Sequence, residues 1–254
     1  MPVVTRRAEG TQIIVEKRLS SRELSEAEAR AQLETEATLL DKLGGVATPR
    51  LVARGEDAAG PFLCMEHVPW PTLAARLDAG PPWTPAALVA AARSAYRALE
   101  AIHAAADGDG PLAIVHADLS PANVASSPDG ARVVVLDLGL ARWRQSPAHD
   151  GSFRGTVGYV APEVAAGAAP TPAADVFALA ASLAHAATGT PPRPQAMLAV
   201  ALVAAAETEL APQVAAALDA RGWSAALGPL LRCLTHDPEA RPTAGAAAAL
   251  FGGG

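Results

Sequence analysis

One polar loop, followed at a fixed distance by an acidic residue, constrains the fold of this chain more than any other feature of its sequence. The loop runs from His116 to Asn123 with the sequence HADLSPAN, and Asp137 opens the sequence DLG fourteen positions after Asn123. The residues between them are typical of a short hairpin, with strands at 124–126 and 132–136 around a Ser-Pro-Asp-Gly turn. A hairpin places its two ends side by side, so we expect Asn123 and Asp137 to lie close together.

These residue types suit the transfer of a phosphoryl group. Asp118 can orient a hydroxyl nucleophile and accept its proton, and the side-chain oxygen of Asn123 can hold a divalent cation. The carboxylate of Asp137 is a hard oxygen ligand that suits Mg²⁺, and Gly139 lets the backbone turn away sharply behind it. The loop therefore predicts a metal-assisted site in which Asp118 and Asn123 are catalytic residues.

A change in composition at Pro69-Trp70-Pro71 divides the chain into two parts. The first part is mixed in charge, with predicted strands at 3–7, 11–19, 50–53 and 62–67, a turn-rich segment at 55–60, and a helix from Ser25 to Leu43. The second part is rich in alanine and is predicted to be mostly helical, with a helix over 84–105 and a long irregular segment over 137–172. We expect an α+β fold of two lobes with a ligand cleft between them.

The overall composition narrows the possible partners and the compartment. Half of the residues are apolar, the net charge is −6 and the isoelectric point is about 5.5. This charge argues against nucleic acid or an anionic membrane as the main partner. Cys64 and Cys233 stand far apart, which favours free thiols in a reducing compartment. The sequence shows neither a secretory signal nor an apolar run that could cross a bilayer, so it predicts a cytoplasmic protein.

The polar loop and several later segments resemble one known family. HADLSPAN resembles the catalytic loop H-R-D-L-x-x-x-N of eukaryotic-type protein kinases, and DLG resembles their D-F-G metal motif. Three later segments resemble the same family in the same order: Gly155–Glu163, which ends in A-P-E, Asp175–Leu179, which resembles D-V-W-S-L, and Asp237–Pro242. Each segment alone is a weak signal, but their order and gaps together identify a resemblance to Hanks-type Ser/Thr protein kinases.

The resemblance implies the fold, the substrates and the roles of the site residues. It implies a kinase-like fold with residues 1–68 as a β-rich N-lobe and residues 69–254 as a helical C-lobe. ATP and Mg²⁺ are the implied cofactors, and a protein carrying Ser or Thr is the implied partner. Asp118 is implied to position the acceptor hydroxyl, while Asn123 and Asp137 hold the metal ion.

Two further contacts follow from the same resemblance. Thr156 implies specificity for Ser/Thr rather than Tyr and should hydrogen-bond near Asp118. Glu163 and Arg241 should form a bidentate, largely buried ion pair with a structural role.

A second set of residues, in the first part of the chain, is implied to bind the nucleotide. Residues 13–17, IIVEK, resemble the strand V-A-I-K, whose Lys contacts the α- and β-phosphates. Alternation along the strand places Lys17 on the same face as Val15, which favours an inward-pointing side chain. The acidic partner of Lys17 is predicted to be Glu36 rather than Glu34, because Glu36 lies on the apolar face of its helix.

Residues 62–68, FLCMEHV, resemble the hinge strand that lies beside the adenine in the family. Met65 is implied to sit at the back of the adenine pocket, and backbone groups of Glu66 and Val68 are implied to bind the base. An ordinary core strand followed by a linker would show the same burial. The full nucleotide-binding set implied by the resemblance is Lys17, Glu36, Met65, Glu66, Val68 and Asp137.

The sequence departs from the family pattern in four places. The family carries a glycine-rich loop before its Lys, but only sixteen residues precede Lys17, which leaves room for one strand, and Gly10 is the single glycine among them. Ala117 replaces the Arg of H-R-D, which implies activity that is not gated by a phosphate on the activation loop. Ser120 replaces a Lys that stabilises the γ-phosphate, and Leu138 replaces the Phe of D-F-G. The absent loop and Ser120 lower the expected catalytic power.

Two other functions stay open at this point. The absent loop and Ser120 favour a kinase-like scaffold without catalysis, whereas the retained phosphate- and metal-binding residues oppose it. A small-molecule phosphotransferase of the aminoglycoside or choline kinase type shares the pattern H-x-D-x-x-x-x-N. The Gly155–Glu163 segment disfavours that class, because it builds a peptide-docking surface in protein kinases.

Overall fold

The computed structural model describes residues 3–9, 12–18, 25–80, 82–193 and 198–252 and has the two-lobed α+β architecture that the sequence predicts. The small lobe consists of strands β1 (Val3–Glu9), β2 (Gln12–Arg18), β3 (Leu51–Asp57) and β4 (Gly60–Glu66) and helix α1 (Glu26–Leu43). The strands form one antiparallel sheet in the order β1-β2-β4-β3, so β1 and β3 are its edges among the described residues. The predicted turn between β1 and β2 includes Gly10, which lies outside the described residues.

Helix α1 begins and ends where its sequence predicts. The Ser25 Oγ accepts a hydrogen bond from the Glu28 N–H at 3.3 Å, and the Ser25 N–H donates to the Glu28 carboxylate at 3.1 Å. This reciprocal cap satisfies backbone groups that a helix start leaves unpaired. Gly44 ends the helix in the left-handed conformation (φ 60°), which glycine adopts without steric cost. The apolar face of α1 packs against β3 and β4 and thereby fixes the direction in which Glu36 points.

The large lobe is built mainly from helices. They are α2 (Leu73–Ala79), α3 (Pro85–His103), α4 (Pro162–Ala165), α5 (Pro172–Thr188), α6 (Leu198–Glu207), α7 (Ala211–Ala220), α8 (Ser224–Leu227), α9 (Leu230–Cys233) and α10 (Ala244–Leu250). Two small hairpins join them, β5 (Ala106–Asp107) with β6 (Gly110–Pro111), and β7 (Val124–Ser126) with β8 (Val133–Val135). Helix α5 is almost entirely buried and packs against α3, α7 and α9, so it forms the centre of this lobe.

Three segments differ from the sequence predictions. The turn predicted within 55–60 is present but covers only residues 58–59, because β3 and β4 continue until Asp57 pairs with Gly60. Helix α2 was not predicted; Thr72 caps it by accepting from the Ala75 N–H at 3.1 Å. The irregular segment 137–172 contains a 3₁₀ turn at Val157–Tyr159 and the short helix α4.

No helix among the described ranges combines the length and the apolar character that crossing a membrane requires. Helices α6 and α7 meet that test only as a pair, and the pair is bent by 85°. The cytoplasmic location stays a prediction of the sequence.

Candidate active site

Three charged side chains meet where the two lobes face each other. The Lys17 Nζ lies 2.6 Å from the Glu36 Oε2 and 2.8 Å from the Asp137 Oδ1. Lys17 comes from β2, Glu36 from α1 and Asp137 from the loop after β8, so the contact joins both lobes. Glu34, the alternative partner, is exposed on the opposite face of α1. The structure therefore places Glu36, and not Glu34, beside Lys17, as helical periodicity predicts.

The three charges shift each other's ionisation. Burial lowers the pKa of Lys17, but the negative charges of Glu36 and Asp137 outweigh it, so the pKa of Lys17 lies above its ordinary value. Burial raises the pKa of Glu36 to about 7, although Lys17 opposes that shift. Burial would also raise the pKa of Asp137, but attraction to Lys17 holds that pKa below its usual range. The contact between Lys17 and Asp137 thus favours the ammonium form of Lys17 and the carboxylate form of Asp137.

Asp118 lies at the mouth of the same cleft and is held by two neighbours. The Thr156 Oγ1 donates to the Asp118 Oδ1 at 2.8 Å, as the sequence predicts. The Asn123 Nδ2 donates to the Asp118 backbone carbonyl at 2.8 Å and to its Oδ2 at 3.3 Å. Burial raises the pKa of Asp118, while the hydrogen bond from Thr156 lowers it and the charge of Asp137 raises it further. Asn123 links the two carboxylates, because its side chain bonds to Asp118 and its carbonyl accepts from the N–H of Leu136, the residue before Asp137.

Asp175, in the first turn of α5, holds the backbone of the His116–Asn123 loop in place. Its carboxylate accepts from the His116 N–H at 2.7 Å and from the Ala117 N–H at 2.9 Å, and it contacts the His103 Nε2 at 2.9 Å. Asp175 is only 1% exposed, and a buried carboxylate is costly unless such partners satisfy it. Ala117 adopts φ 64°, a conformation that non-glycine residues adopt only when the surrounding structure enforces it.

His116 connects this loop to the strand that leads to Asp137. The His116 ring contacts the Leu136 carbonyl through Nε2 at 2.9 Å, and its Nδ1 accepts from the Asp118 N–H at 3.3 Å. These partners assign a neutral imidazole protonated at Nε2. His116 is fully buried, so it acts as a structural link between the loop and β8.

The ends of the β7–β8 hairpin lie side by side, as the sequence predicts. The Leu136 N–H donates to the Asn123 carbonyl at 2.9 Å, so Asn123 and Asp137 are neighbours across the hairpin. Asp137 adopts φ 60°, and its Oδ1 accepts from the Gly139 N–H at 3.2 Å as well as from Lys17. Within the described residues, the Asp137 Oδ2 and the Asn123 Oδ1 have no hydrogen-bond donor.

These two free oxygens fit Mg²⁺, which prefers oxygen ligands and takes only one or two from the protein when phosphates and waters supply the others. No cluster of three or more His, Cys, Asp or Glu side chains suited to a metal occurs in the described part of the chain. The site residues therefore match a metal ion that arrives with a phosphate ligand better than one caged by protein alone.

The predicted hinge residues are only partly available for a base. Met65 is buried at 9% exposure, as expected for the back wall of a pocket. The Glu66 N–H is already bonded to the Arg50 carbonyl at 2.9 Å. Among the described residues, no hydrogen bond outside the strand ladder engages the Glu66 carbonyl, the Val68 N–H or the Val68 carbonyl, so each of the two predicted positions has a backbone group that a base could use.

Two apolar residues lie beside this site without a role assigned from the sequence, although alternation already predicts that Ile13 shares the face of Lys17. Val4 is 58% exposed and Ile13 is 52% exposed, and both lie on the sheet face that carries Lys17. Large apolar side chains on the cleft face suit a flat base, which would cover them. Strand alternation counted outward from Lys17 was the available signal for both residues.

Glu163 and Arg241 form the predicted ion pair below the site. Two bonds of 2.7 Å each join the Arg241 guanidinium to the two carboxylate oxygens of Glu163. The Arg241 side chain is 0% exposed and that of Glu163 is 17% exposed. The pair joins the start of α4 to the segment before α10 and has no contact with Asp118.

Comparison with known proteins gives a consistent result. The family model described as "Protein kinase domain" matches residues 3–250. The probable serine/threonine-protein kinase PkwA of Thermomonospora curvata is 30% identical over 188 residues, which cover 73% of this chain and 24% of PkwA. The serine/threonine-protein kinase PknD of Mycobacterium tuberculosis is 33% identical over 186 residues, 71% of this chain and 26% of PknD.

A third relative has a shorter but more similar match. The serine/threonine-protein kinase PkaA of Streptomyces coelicolor is 38% identical over 146 residues, 56% of this chain and 25% of PkaA. The chain thus matches about a quarter of the length of each of these relatives. Because the family model matches nearly the whole chain, this chain belongs to the protein kinase domain family.

Proposed function

We propose that this chain transfers the γ-phosphoryl group of ATP to Ser or Thr hydroxyls of a protein substrate. The observation that carries the proposal is the meeting of Lys17 and Asp137 at 2.8 Å in the cleft that also holds Asp118. The relatives named as serine/threonine-protein kinases support the same activity.

Each residue of the site has a role that its geometry supports. Lys17, held by Glu36, binds phosphate oxygens, and the free N–H of Val68 binds the edge of the base beside Met65. Asp118 orients the acceptor hydroxyl and accepts its proton. When bound at Asn123 and Asp137, Mg²⁺ neutralises charge on the phosphate oxygens during transfer. Catalysis then comes from positioning and electrostatics, which is the general basis of phosphoryl transfer by kinases.

The buried charged groups of the site support a catalytic role better than a scaffold role. A buried ion pair such as Lys17–Glu36 costs desolvation free energy, and replacing it with apolar residues is often neutral or stabilising. A protein that only binds partners gains nothing from this pair that would offset the desolvation free energy. The hydrogen bond from Thr156 to Asp118 supports a peptide-docking role for the Gly155–Glu163 segment, because it holds that segment beside the carboxylate proposed to accept the proton of the substrate hydroxyl.

Transfer of label from γ-labelled ATP tests the proposal. The purified chain is incubated with Mg²⁺ and a generic protein acceptor, alongside Asp118→Asn and the control Asp109→Asn, whose side chain is 89% exposed. We expect Asp118→Asn to lower transfer by about a hundredfold or more and Asp109→Asn to leave it unchanged.

Two other outcomes would contradict the proposal. Binding of ATP without any transfer by the unsubstituted chain would indicate a scaffold. Transfer to small hydroxylated or aminated molecules, but not to protein, would indicate a small-molecule phosphotransferase.

A further inference from the structure

Arg193, between helices α5 and α6, is a buried cation without an acidic partner. It is only 7% exposed and takes part in no ion pair among the described residues. Burial lowers the pKa of Arg193 to about 10, so the guanidinium still carries its charge near neutral pH. Arg241 is equally buried, but Glu163 balances its charge. Since a buried charge without a carboxylate partner costs free energy, other contacts of Arg193 must offset that cost.

The Arg193 guanidinium is held by backbone carbonyls from two separate segments. Its Nη1 donates to the Val160 carbonyl at 2.7 Å, and its Nη2 donates to the Ala205 carbonyl at 3.2 Å. Ala205 lies in the last turn of α6, where a helix leaves carbonyls unpaired and carries partial negative charge. Arg193 therefore caps the C-terminal end of α6 and joins that helix to Val160.

Arg193 also contacts the central helix of the large lobe. Its guanidinium carbon lies 5.6 Å from the centre of the Phe177 ring, an attractive cation–aromatic contact with a residue of α5. The Arg193 Nε, however, is buried without a hydrogen-bond partner in the described part of the chain. A buried donor without a partner costs free energy, so stability alone does not account for an arginine at this position.

Val160 belongs to the Gly155–Glu163 segment, which contacts Asp118 at its other end. There the Thr156 Oγ1 donates to the Asp118 Oδ1 at 2.8 Å. The Tyr159 N–H donates to the Thr156 carbonyl at 3.1 Å, so one 3₁₀ turn joins Thr156 to Val160. Because this turn is short and hydrogen-bonded, a displacement of Val160 would also displace the Thr156 hydroxyl.

We propose that Arg193 positions the protein acceptor by fixing the backbone of Val160. This inference rests on the proposed function and deepens it, because it assigns a residue to the acceptor side of the site. Arg193 is a positioning residue, since it acts through the Gly155–Glu163 segment and makes no hydrogen bond to Lys17, Asp118 or Asp137. Its loss should weaken use of the acceptor and leave ATP binding as it is.

Steady-state kinetics of label transfer, with the protein acceptor and ATP varied in turn, test the assignment in the unsubstituted chain, Arg193→Met and Arg221→Met. Methionine keeps much of the length of the side chain but removes its charge and its donors. Arg221→Met is the matched control, because Arg221 likewise donates to a carbonyl, that of Thr188 at 2.8 Å, and contacts the Trp223 ring, but it is exposed and has no hydrogen bond to the Gly155–Glu163 segment.

We expect Arg193→Met to lower kcat/KM for the acceptor by about tenfold or more, the usual effect of losing a charge-assisted hydrogen bond. The KM for ATP should stay the same, and Arg221→Met should change neither quantity. Arg193→Lys keeps the cation and one donor group, so it should show a smaller loss of the same kind. It replaces Arg193→Met if urea denaturation shows that the Met variant does not fold.

Two results would overturn the inference and leave the proposed function intact. An unchanged kcat/KM for the acceptor in Arg193→Met would show that the segment keeps its position without Arg193. Equal losses in acceptor use and in ATP affinity, together with a lower free energy of unfolding, would show that Arg193 only stabilises the fold. If the unsubstituted chain transfers no label to protein, the proposed function fails, and the assignment of Arg193 fails with it.

Discussion

At the scale of single residues, the site depends on how the protein holds two carboxylates at different pKa values. Asp137 is kept ionised by Lys17, whereas burial raises the pKa of Asp118 and only Thr156 donates a side-chain hydrogen bond to its Oδ1. An ionised Asp118 is required to accept the proton of the substrate hydroxyl. If Asp118 accepts that proton as proposed, we expect its protonation to set the acid limit of activity.

We predict that Thr156→Ala moves this acid limit to higher pH. The Thr156 hydroxyl stabilises the charged form of Asp118, so its removal raises the pKa of Asp118 and activity is lost earlier as the pH falls. The pH dependence of kcat/KM measures the shift. Thr156→Ser keeps the hydroxyl and should keep the profile; an acid limb that is identical in Thr156→Ala would refute this role for Thr156.

A second prediction concerns the partner of Lys17. Glu36→Gln removes the buried carboxylate that holds the Lys17 ammonium at 2.6 Å, so the ammonium is left to Asp137 and loses its position for phosphate binding. We expect kcat/KM for ATP to fall by about tenfold or more, because a hydrogen bond to a charged group is worth about 1.5–3 kcal/mol. Glu34→Gln, on the exposed side of the same helix, is the control and should be neutral.

Sequence reasoning at this scale succeeded where a short-range periodicity decides the direction of a side chain. Two-residue alternation predicted Lys17, and the helical repeat separated Glu36 from Glu34. The same reasoning did not assign a role to Asp175, because its partners His116, Ala117 and His103 come from distant parts of the chain. No local pattern encodes those contacts.

At the scale of elements, helix α1 positions Glu36 in the site. Its N-terminal cap fixes the residue at which the helix begins, and therefore the position of Glu36 along it. Ser25 and Glu28 form the cap through reciprocal hydrogen bonds. We predict that Ser25→Ala lowers the free energy of unfolding by about 0.5–2 kcal/mol, the usual cost of losing an N-cap. Urea denaturation measures it, and Ser25→Asp should retain most of the stability because Asp is also a good cap.

Element boundaries were harder to predict than element types. Residues 55–60 contain two glycines and are predicted to be rich in turns, but the β3–β4 ladder continues to the pair Asp57–Gly60 and leaves a turn of only two residues at 58–59. Helix α2 was missed because the Pro-Trp-Pro sequence just before it indicates a break. In both cases tertiary contacts outweighed local propensity.

At the scale of the whole molecule, the Glu163–Arg241 ion pair connects the end of the Gly155–Glu163 segment to the C-terminal part of the large lobe. We predict that Arg241→Met lowers the free energy of unfolding by about 3–5 kcal/mol, because it leaves the Glu163 carboxylate without its partner in a mostly buried place. Arg30→Met breaks the exposed pair with Glu56 and should change the free energy of unfolding much less, because water and salt screen that pair. Urea denaturation measures both changes. Similar losses of unfolding free energy in the two variants would show that the Glu163–Arg241 pair stabilises the fold no more than an exposed pair does.

The two-lobed arrangement followed from the change in composition near residue 70 and from the family-like order of the motifs. How closely the lobes approach did not follow, because that depends on the contact of Lys17 with Asp137 across 120 positions of sequence.

In the proposed function, Lys17 binds the phosphates of the same nucleotide whose metal ion is bound by Asp137. The Mg²⁺ dependence of ATP affinity therefore tests both roles together. Titration calorimetry at increasing Mg²⁺ compares the unsubstituted chain with Asp137→Asn and with the exposed control Asp41→Asn. We expect ATP to bind more tightly as the Mg²⁺ concentration rises, both in the unsubstituted chain and in Asp41→Asn. In Asp137→Asn we expect the ATP affinity to lose this dependence on Mg²⁺. An Asp137→Asn protein whose ATP affinity responds to Mg²⁺ as the unsubstituted chain does would contradict it.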